Sequence, residues 1–192
     1  MNSSISSPVV DPEIKGKTHP LKKFHFCPVC GSVHFEENNA ASKKCQSCGF
    51  TYYFNPRGAT VALIVNNRRE LLVARRAKEP AKGTLDLPGG FIDSYETAEE
   101  AVVREVKEET GLSVQKVTYL FSLPNIYPYS GLDIHTIDLF FECKVNAEAG
   151  VTAMDDVAAL YWIPLADIHP DQFGLTSVRE GVERFIVARG AE

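Results

Sequence analysis

A run of spaced glycines and charged residues between positions 90 and 112 constrains this chain more than any other part of its sequence. Glu105 is followed by Glu108 and Glu109, three and four positions later, so all three carboxylates project from one side of a helix. Three like charges repel one another unless a positive group lies among them, and Mg²⁺ or Mn²⁺ fills that role because these cations prefer oxygen ligands. Arg104, four positions before Glu108, can hold or orient a carboxylate. On spacing alone, a solvated, charge-rich helix face is the alternative.

The residues around these glutamates predict a helix over 97–110. Its apolar positions fall on one stripe, formed by Ala98, Ala101, Val102 and Val106. Thr97 followed by Glu100 fits a capping box, and Gly111 stands where a helix commonly ends in the left-handed conformation. Gly90, at the end of a Leu-Pro-Gly-Gly segment, lets the backbone approach a metal or a phosphate closely.

The rest of this region alternates strands and helices. Apolar and β-branched runs predict strands at 59–65, 71–75, 114–122, 134–145 and 161–163, and an amphipathic pattern predicts a closing helix at 177–188. Strands on both sides of a long helix predict an α/β fold in which a mixed sheet is sandwiched by helices.

Four cysteines in two close pairs predict a metal centre ahead of this region. The pairs are Cys27-Pro-Val-Cys30 and Cys45-Gln-Ser-Cys48, with 14 residues between them. Each pair can form a turn that directs two thiolates at one ion, and Gly31 and Gly49 follow the pairs where such a turn favours positive φ. Four protein ligands complete a tetrahedron, so we expect a structural zinc and not a catalytic one. Cys143, inside an apolar strand, is predicted to be a core residue.

The sequence therefore divides into three predicted parts. Residues 1–24 are rich in Ser, Pro and Lys without periodicity and predict a flexible N-terminal arm; 25–54 form the zinc ribbon, and 55–192 form the α/β domain. The ribbon either packs on the next domain or completes a dimer, or it binds nucleic acid. Lysines at 22, 23, 43 and 44 favour nucleic acid, whereas glutamates at 36 and 37 oppose it.

Charge and composition narrow the possible partners. Lys and Arg number 20 and Asp and Glu number 25, a formal net charge of −5. This acidity argues against nucleic acid as the main partner and predicts that a cation is recruited to handle phosphates. The sequence has no run of 18 apolar residues, and its first ten residues lack the basic start of a secretory signal. We therefore expect a cytoplasmic protein with no membrane association.

From Gly90 to Leu112 the sequence matches G-x5-E-x7-R-E-U-x-E-E-x-G-U, with U apolar, at every fixed position. It thereby resembles the Nudix box, and the resemblance extends over about residues 55–167. It implies a Nudix-type α/β/α sandwich that hydrolyses a nucleoside diphosphate linked to another group, using Mg²⁺ or Mn²⁺. It further implies that Glu105 and Glu109 hold the metal with Glu108 and Gly90 close by, that Arg104 orients the glutamates, and that Glu96 supports the loop.

Further acidic and basic residues are candidates for the same site. The resemblance implies that a carboxylate helps to deprotonate the water that attacks phosphorus in line, and that a later acidic residue often completes the site. Asp155 or Asp156 can take that place, or either can cap a short helix. Arg75 and Arg76 end a predicted strand near the phosphates, where one of them clamps a phosphate or both form surface salt bridges.

The four-cysteine ribbon before the box resembles the NADH pyrophosphatase branch of the family. That branch carries S-Q-P-W-P-F-P-x-S ten residues after the box, and here Ser122-Leu-Pro-Asn-Ile-Tyr-Pro-Tyr-Ser130 stands in its place. Ser122 and Pro124 match, Tyr127 stands at an aromatic position, and Asn125 replaces the Trp. Tyr127 or Tyr129 can stack on a base, or both can pack within a loop.

The resemblance leaves substrate and assembly to be chosen among alternatives. It implies either NADH or NAD, or ADP-ribose, as the nucleoside diphosphate derivative, and a homodimer as the assembly. The alternative function is a nucleic-acid or nucleotide binding module with little catalysis. A pure binding module would tolerate loss of the box glutamates, and none is lost here.

Overall fold

The computed structural model describes residues 19–146, 153 and 157–190. The chain divides into two compact units, Met1–Asn55 and Pro56–Glu192. Among the described residues, no helix combines the length and the hydrophobicity needed to span a bilayer.

The first unit is built on a three-stranded antiparallel sheet. Its strands are β1 (Phe35–Asn39), β2 (Ser42–Cys45) and β3 (Thr51–Tyr53), in the spatial order β1-β2-β3. A small core joins the buried Cys27, Phe35 and Cys45 to the partly buried Phe24 and Phe50. An apolar core this small makes a metal crosslink valuable for stability.

The last residues of the predicted arm contact this first unit. Leu21 is fully buried, and the Lys43 ammonium donates a 2.8 Å hydrogen bond to the carbonyl of Phe24. A ring nitrogen of His19 lies 2.9 Å from the carbonyl oxygen of Asn39. Residues 19–24 therefore belong structurally with the cysteine unit, and residues 1–18 lie outside the described part of the chain.

The described residues of the second unit form two three-stranded sheets and two α-helices. Its elements are β4 (Arg57–Leu63), β5 (Glu70–Arg76), β6 (Leu85–Asp86), α1 (Ala98–Thr110), β7 (Val114–Tyr129), β8 (Leu132–Val145), β9 (Val157–Pro164) and α2 (Thr176–Gly190). The sheet β4-β8-β7 is mixed, because β4 runs parallel and β7 antiparallel to the central β8. The sheet β6-β5-β9 is antiparallel. Every predicted strand and both predicted helices are present.

The two helices cover opposite faces of the strands. Ala62 of β4 and Ile64, which directly follows β4, share a core with Val102 and Val106 of α1. The alternate residues Val61 and Leu63 share a second core with Val178, Val182 and Phe185 of α2. Because successive strand residues point to opposite faces, one strand serves both cores. This arrangement confirms the predicted α/β/α sandwich.

Both predicted ends of α1 are confirmed. The Thr97 side chain accepts from the Glu100 backbone while the Glu100 carboxylate accepts from the Thr97 backbone, which is the capping box. Gly111 adopts φ of 74° and closes the helix with a hydrogen bond to the carbonyl of Lys107. The glutamates thus lie on a helix whose ends are set locally.

Strand β7 runs further than its sequence predicts. The expected strand stops at Ser122, but the structure continues it to Tyr129 through Pro124 and Pro128. Within the described part of the chain β7 is an edge strand paired only with β8, and proline is tolerated at an edge because its missing N–H faces away from the sheet. The extension turns a predicted loop into one wall of the cleft described below.

Candidate active site

Arg104 connects three glutamates of the spaced segment. Its Nε and Nη2 donate to the two carboxylate oxygens of Glu96 at 2.8 and 2.9 Å. Its Nη1 donates to Glu105 at 2.8 Å and to Glu108 at 3.0 Å, and Nη2 also donates to the carbonyl of Phe91 at 3.1 Å. A planar guanidinium has five N–H donors in fixed directions, so this one side chain sets the relative positions of all three carboxylates.

These contacts stabilise the charged forms of Glu96 and Arg104, so they lower the pKa of the carboxyl group and raise the pKa of the guanidinium. Hydrogen bonds from Arg104, followed by one from the backbone N–H of Asp93, lower the pKa of Glu96 to about 2. The carboxylates around Arg104, with Glu96 first, raise the pKa of its guanidinium. The pair is therefore ionised at neutral pH.

Two glycines bring the backbone against the glutamates. The N–H of Gly89 donates a 3.0 Å hydrogen bond to the carboxylate of Glu109, a residue that is 9% exposed. A Cβ atom on Gly90 would lie 2.5 Å from a carboxylate oxygen of Glu105, and one on Gly89 would lie 2.1 Å from the carbonyl oxygen of Thr60. Only glycine fits at position 89, which lies against backbone, whereas a side chain at position 90 would displace the Glu105 carboxylate.

The donor set at this end of α1 is suited to a hard cation. Glu105, Glu108 and Glu109 line one cleft together with Gly90. The side-chain atoms with which the three glutamates can bind a cation are all carboxylate oxygens. The Arg104 guanidinium bridges Glu105 and Glu108, where it supplies positive charge between them. These residues match the oxygen preference of Mg²⁺ and Mn²⁺.

The cleft has a volume of about 530 Å³ and lies within the second unit. Of the predicted site residues, those lining it are Arg75, Arg76, Gly90, Arg104, Glu105, Glu108, Glu109, Tyr127 and Tyr129. Glu96 accepts two hydrogen bonds from Arg104, which lines the cleft. The cleft is large enough for a small-molecule ligand.

Two predicted substrate contacts do not reach the cleft. Alternation along β7 directs Asn125, Tyr127 and Tyr129 to the cleft and leaves Ser122 and Pro124 exposed on the other face. The sequence predicts a strand only as far as Ser122, so the alternation that separates these residues was not anticipated. Asp155 and Asp156 lie outside the described residues.

Arg76 is an internal ion-pair residue. Its Nη1 pairs with Asp86, its Nε donates to the carbonyl of Pro80 at 2.7 Å, and its Nη2 donates to the hydroxyl of Tyr127 at 3.2 Å. Both side chains of the ion pair are mostly buried, at 15% and 13% exposure. This arrangement differs from the predicted surface salt bridge, whereas Arg75 is exposed and donates a 2.6 Å hydrogen bond to the carbonyl of Gly83.

Several lining residues were missed in the sequence. Arg57 lies over the ring of Phe91 with its guanidinium carbon 4.2 Å from the ring centre, and Phe91 makes an edge contact with Tyr127 at 5.8 Å. Together these side chains form an aromatic and cationic wall. Phe91 occupies a variable position of the box pattern, so the pattern carries no signal for it.

A buried acidic group at the inner end of the cleft was missed as well. Asp138 of β8 is 4% exposed and accepts hydrogen bonds from the hydroxyls of Thr136, at 2.6 Å, and Ser177. Asp86 lies near enough that Asp138 contributes to raising its pKa, although burial is the larger cause and Arg76 opposes both. Asp138 shares a strand face with Thr136 and the apolar Phe140, and an Asp beside an apolar run was a readable signal.

The four cysteines of the first unit converge on one point. Their sulfur atoms all lie within 4.8 Å of one another, with Cys27 and Cys48 separated by 3.7 Å and Cys30 and Cys45 by 3.6 Å. Tetrahedral zinc with Zn–S bonds of about 2.3 Å separates its sulfur ligands by about 3.8 Å, so the spacing fits. Gly31 and Gly49 have φ values of 74° and 78°, as the cysteine pairs predict.

Cys143 has no part in this centre. It is buried in the core beside α1, and its burial raises the pKa of the thiol to about 12. The prediction of a core cysteine is confirmed.

The family of the chain follows from a match to a domain model. The NUDIX domain model matches residues 55–183. This chain belongs to the Nudix family. The match covers the whole cleft described above, from β4 to α2, and leaves the four-cysteine unit outside it.

Relatives with assigned activities share part of the chain. The NAD-capped RNA hydrolase NudC of Vibrio parahaemolyticus is 33% identical over 113 residues, which are 58% of this chain and 42% of that protein. The ADP-ribose pyrophosphatase of Methanocaldococcus jannaschii is 39% identical over 94 residues, 48% of this chain and 53% of that protein. The matched segments thus span about half or less of these Nudix relatives.

A solved structure has the same Nudix fold. The MutT NUDIX hydrolase from Burkholderia pseudomallei superposes with a TM-score of 0.58 at 27% identity, covering 67% of this chain and 97% of that one. The α/β/α sandwich seen here is therefore the family's architecture.

Proposed function

We propose that the Nudix unit hydrolyses the pyrophosphate bond of a nucleoside diphosphate derivative, releasing a nucleoside monophosphate and a second phosphate product. The observation that supports this most directly is that Glu105, Glu108 and Glu109 line one cleft, with Arg104 hydrogen-bonded to Glu105 and Glu108 and the Gly89 N–H hydrogen-bonded to Glu109. The named activities of the two Nudix relatives, on NAD-capped RNA and on ADP-ribose, belong to the same chemical class.

The proposed roles follow from the contacts of each residue. Glu105, Glu108 and Glu109 hold Mg²⁺ or Mn²⁺, and Gly90 allows the backbone to approach. When bound, the cation supplies neutralisation of the pyrophosphate charge and activation of the attacking water. Arg104 orients the carboxylates, and Glu96 anchors Arg104 through two hydrogen bonds.

The substrate contacts are proposed along the cleft walls. Tyr127 and Tyr129 face the cleft from β7 and present aromatic surfaces on which a base can stack. Arg75 is exposed at the cleft and can pair with a phosphate. NADH or NAD, ADP-ribose and an RNA carrying a 5′ NAD are the substrates that this arrangement and the relatives favour.

The test compares Glu109→Gln with Glu99→Gln. Glutamine keeps an acceptor oxygen for the Gly89 N–H but removes the charge needed to hold a cation. Glu99 is exposed in the first turn of the same helix and controls for a general loss of acidity. We expect E109Q to lose most of its Mg²⁺- or Mn²⁺-dependent turnover while keeping the wild-type melting temperature, and E99Q to keep its activity. Full activity of E109Q would refute the proposed metal site.

For the first unit we propose a structural Zn²⁺ held by Cys27, Cys30, Cys45 and Cys48. For the whole chain we propose that it forms a homodimer and that it is located in the cytoplasm. The sulfur spacing supports the zinc, and no step of the reaction is assigned to it. Elemental analysis should give one zinc per chain. Sedimentation at micromolar concentration tests the dimer, and a single monomeric species would refute it.

A further inference from the structure

The buried end of the cleft offers hydrogen-bond acceptors in place of the donors that phosphates require. Thr136 and Asp138 line it from β8, and Asp86 lines it from β6 of the other sheet. Each hydroxyl carries a single proton, and both Thr136 and Ser177 direct theirs at the Asp138 carboxylate. The hydroxyl oxygens can therefore only accept further hydrogen bonds, as can Asp138 itself.

The carboxylate of Asp138 still has capacity for a ligand. An ionised carboxylate presents about four lone-pair sites, and the two hydroxyls use one on each oxygen. β8 is the central strand of its sheet, and Asp138 lies between Leu123 of β7 and Ala59 of β4. Strand pairing on both sides holds the backbone at this position.

The Arg76 guanidinium, which pairs with Asp86 at this end, already has partners for its donors. Arg76 directs its donors to Asp86, to the carbonyl of Pro80 and to the hydroxyl of Tyr127. Asp86 is therefore paired with a cation, whereas the contacts of Asp138 are the hydroxyls of Thr136 and Ser177. Charge repulsion is strong where water is excluded, so a phosphate group cannot enter this end without a large penalty.

We propose that Asp138 determines substrate specificity by accepting a hydrogen bond from an uncharged donor on the nucleoside part of the substrate. This rests on the proposed pyrophosphohydrolase function and fixes the direction in which the substrate lies: phosphates toward α1, nucleoside toward Asp138. Two groups on an adenine nucleoside supply such a donor, namely the ribose hydroxyls and the exocyclic amine.

Substrate analogues distinguish the two sources. NAD⁺ is compared with NADP⁺, which carries a phosphate on a ribose hydroxyl, and with nicotinamide hypoxanthine dinucleotide, which replaces the amine with a carbonyl oxygen. A hydrogen bond to a charged acceptor contributes about tenfold or more to discrimination. We expect wild-type kcat/KM to fall at least about tenfold for one of the two analogues, NADP⁺ for a ribose contact and the hypoxanthine compound for an amine contact.

Asp138→Asn is the decisive variant. It keeps the size of the side chain, removes its charge and adds an N–H₂ donor, so the ratio of kcat/KM between NAD⁺ and the disfavoured analogue should approach one. Asp133→Asn is the matched control, because Asp133 is exposed on the same strand. Its ratio should equal that of the wild type. A folded D138N that keeps the wild-type ratio, or a wild type that treats all three substrates within about threefold, overturns the proposal.

Binding measurements separate this inference from the proposed catalysis. Calorimetric titration of the wild type with AMP, IMP and adenosine 2′,5′-bisphosphate reads the same contact without turnover and needs no variant. If no substrate is hydrolysed with Mg²⁺ or Mn²⁺, the proposed function fails, while weaker binding of IMP or of the bisphosphate than of AMP still supports the role of Asp138. Equal affinities for all three ligands refute it.

Discussion

Arg104 shows how one side chain can organise a site. It contacts Glu96, Glu105 and Glu108 at once and lies within the part of the chain that the box pattern specifies. A lysine has a single ammonium group on a flexible stem and cannot hold three carboxylates in one plane. The fixed arginine of the box is therefore explained here by geometry as well as by charge.

Replacing Gly90 tests the close approach of backbone and carboxylate. In Gly90→Ala the added Cβ would meet the Glu105 carboxylate at 2.5 Å, so the carboxylate must move away. We expect kcat/KM to fall by at least about tenfold, since a displacement of about 1 Å at a reacting site can cost a hundredfold. Gly190→Ala, where a Cβ meets nothing within 4 Å, is the control and should leave kcat/KM unchanged.

The Glu96–Arg104 pair predicts how stability depends on pH. Because the pKa of Glu96 is lowered to about 2 in the folded chain from an ordinary 4.5, its contribution to stability is present above pH 4.5 and is lost as the pH falls toward 2. The wild type should therefore be more stable than Glu96→Gln at pH 7, and the difference should shrink over that window. Urea unfolding followed by fluorescence from pH 7 to pH 2.5 measures it; a difference that does not change with pH would contradict the assignment.

The two helices differ in the local features that fix them: capping at the ends of α1, and close packing at one glycine of α2. The glutamate helix α1 has both ends closed by local hydrogen bonds, whereas α2 approaches the sheet closely at Gly181. A Cβ on Gly181 would lie 2.2 Å from the ring of Phe140, in the core that supports the buried end of the cleft. A glycine within a helix is costly, so its presence here reflects the space that the aromatic ring requires.

Gly181→Ala measures that packing. Alanine gains about 1 kcal/mol in helix propensity, but overpacking a core costs about 1–3 kcal/mol, so a net loss of stability is expected. Thermal unfolding should show a lower midpoint for G181A. The double variant G181A/F140L should recover part of the loss, because it removes the ring that the new methyl group meets. A G181A protein more stable than the wild type would show that the helix moves at little cost.

The long edge strand β7 decides which aromatic residues reach the cleft. Its extension to Tyr129 gives the segment a period of two, and this period separates Asn125 and Tyr127 from Ser122 and Pro124. The motif resemblance treated these positions together. Their separation is an effect of the strand and not of the residue types.

The whole chain consists of two compact units with separate means of stabilisation. The Nudix unit has two apolar cores, whereas the cysteine unit has five residues in its small core, two of them cysteines of the metal centre. A three-stranded sheet with so little apolar burial depends on the crosslink that an ion supplies.

Removal of zinc should therefore affect the two units differently. After chelation we expect fast amide exchange in residues 27–53 and unchanged protection in α1, because α1 lies in a core of its own. Hydrogen exchange read by mass spectrometry, with zinc measured before and after, provides the comparison. Retained protection of β1–β3 in zinc-free protein would show that the ribbon folds without metal.

Local spacing made much of this molecule predictable. The cysteine pairs, the capping box and the i, i+4 glutamates each depend on residues within one turn or one helix, so their geometry follows from the chain itself. The fold class followed from alternating strand and helix patterns, and the box lies within the residues that the family model matches.

The tertiary structure decided the interior of the cleft. Asp138 meets Ser177 from 39 positions away, and Arg76 meets Tyr127 from 51 positions away, so no local rule relates them. Which of two neighbouring arginines turns inward, and which face of β7 meets the ligand, depends on strand pairing and register. The chemistry of the box could thus be predicted from spacing, whereas the substrate contacts depend on residues that only folding brings together.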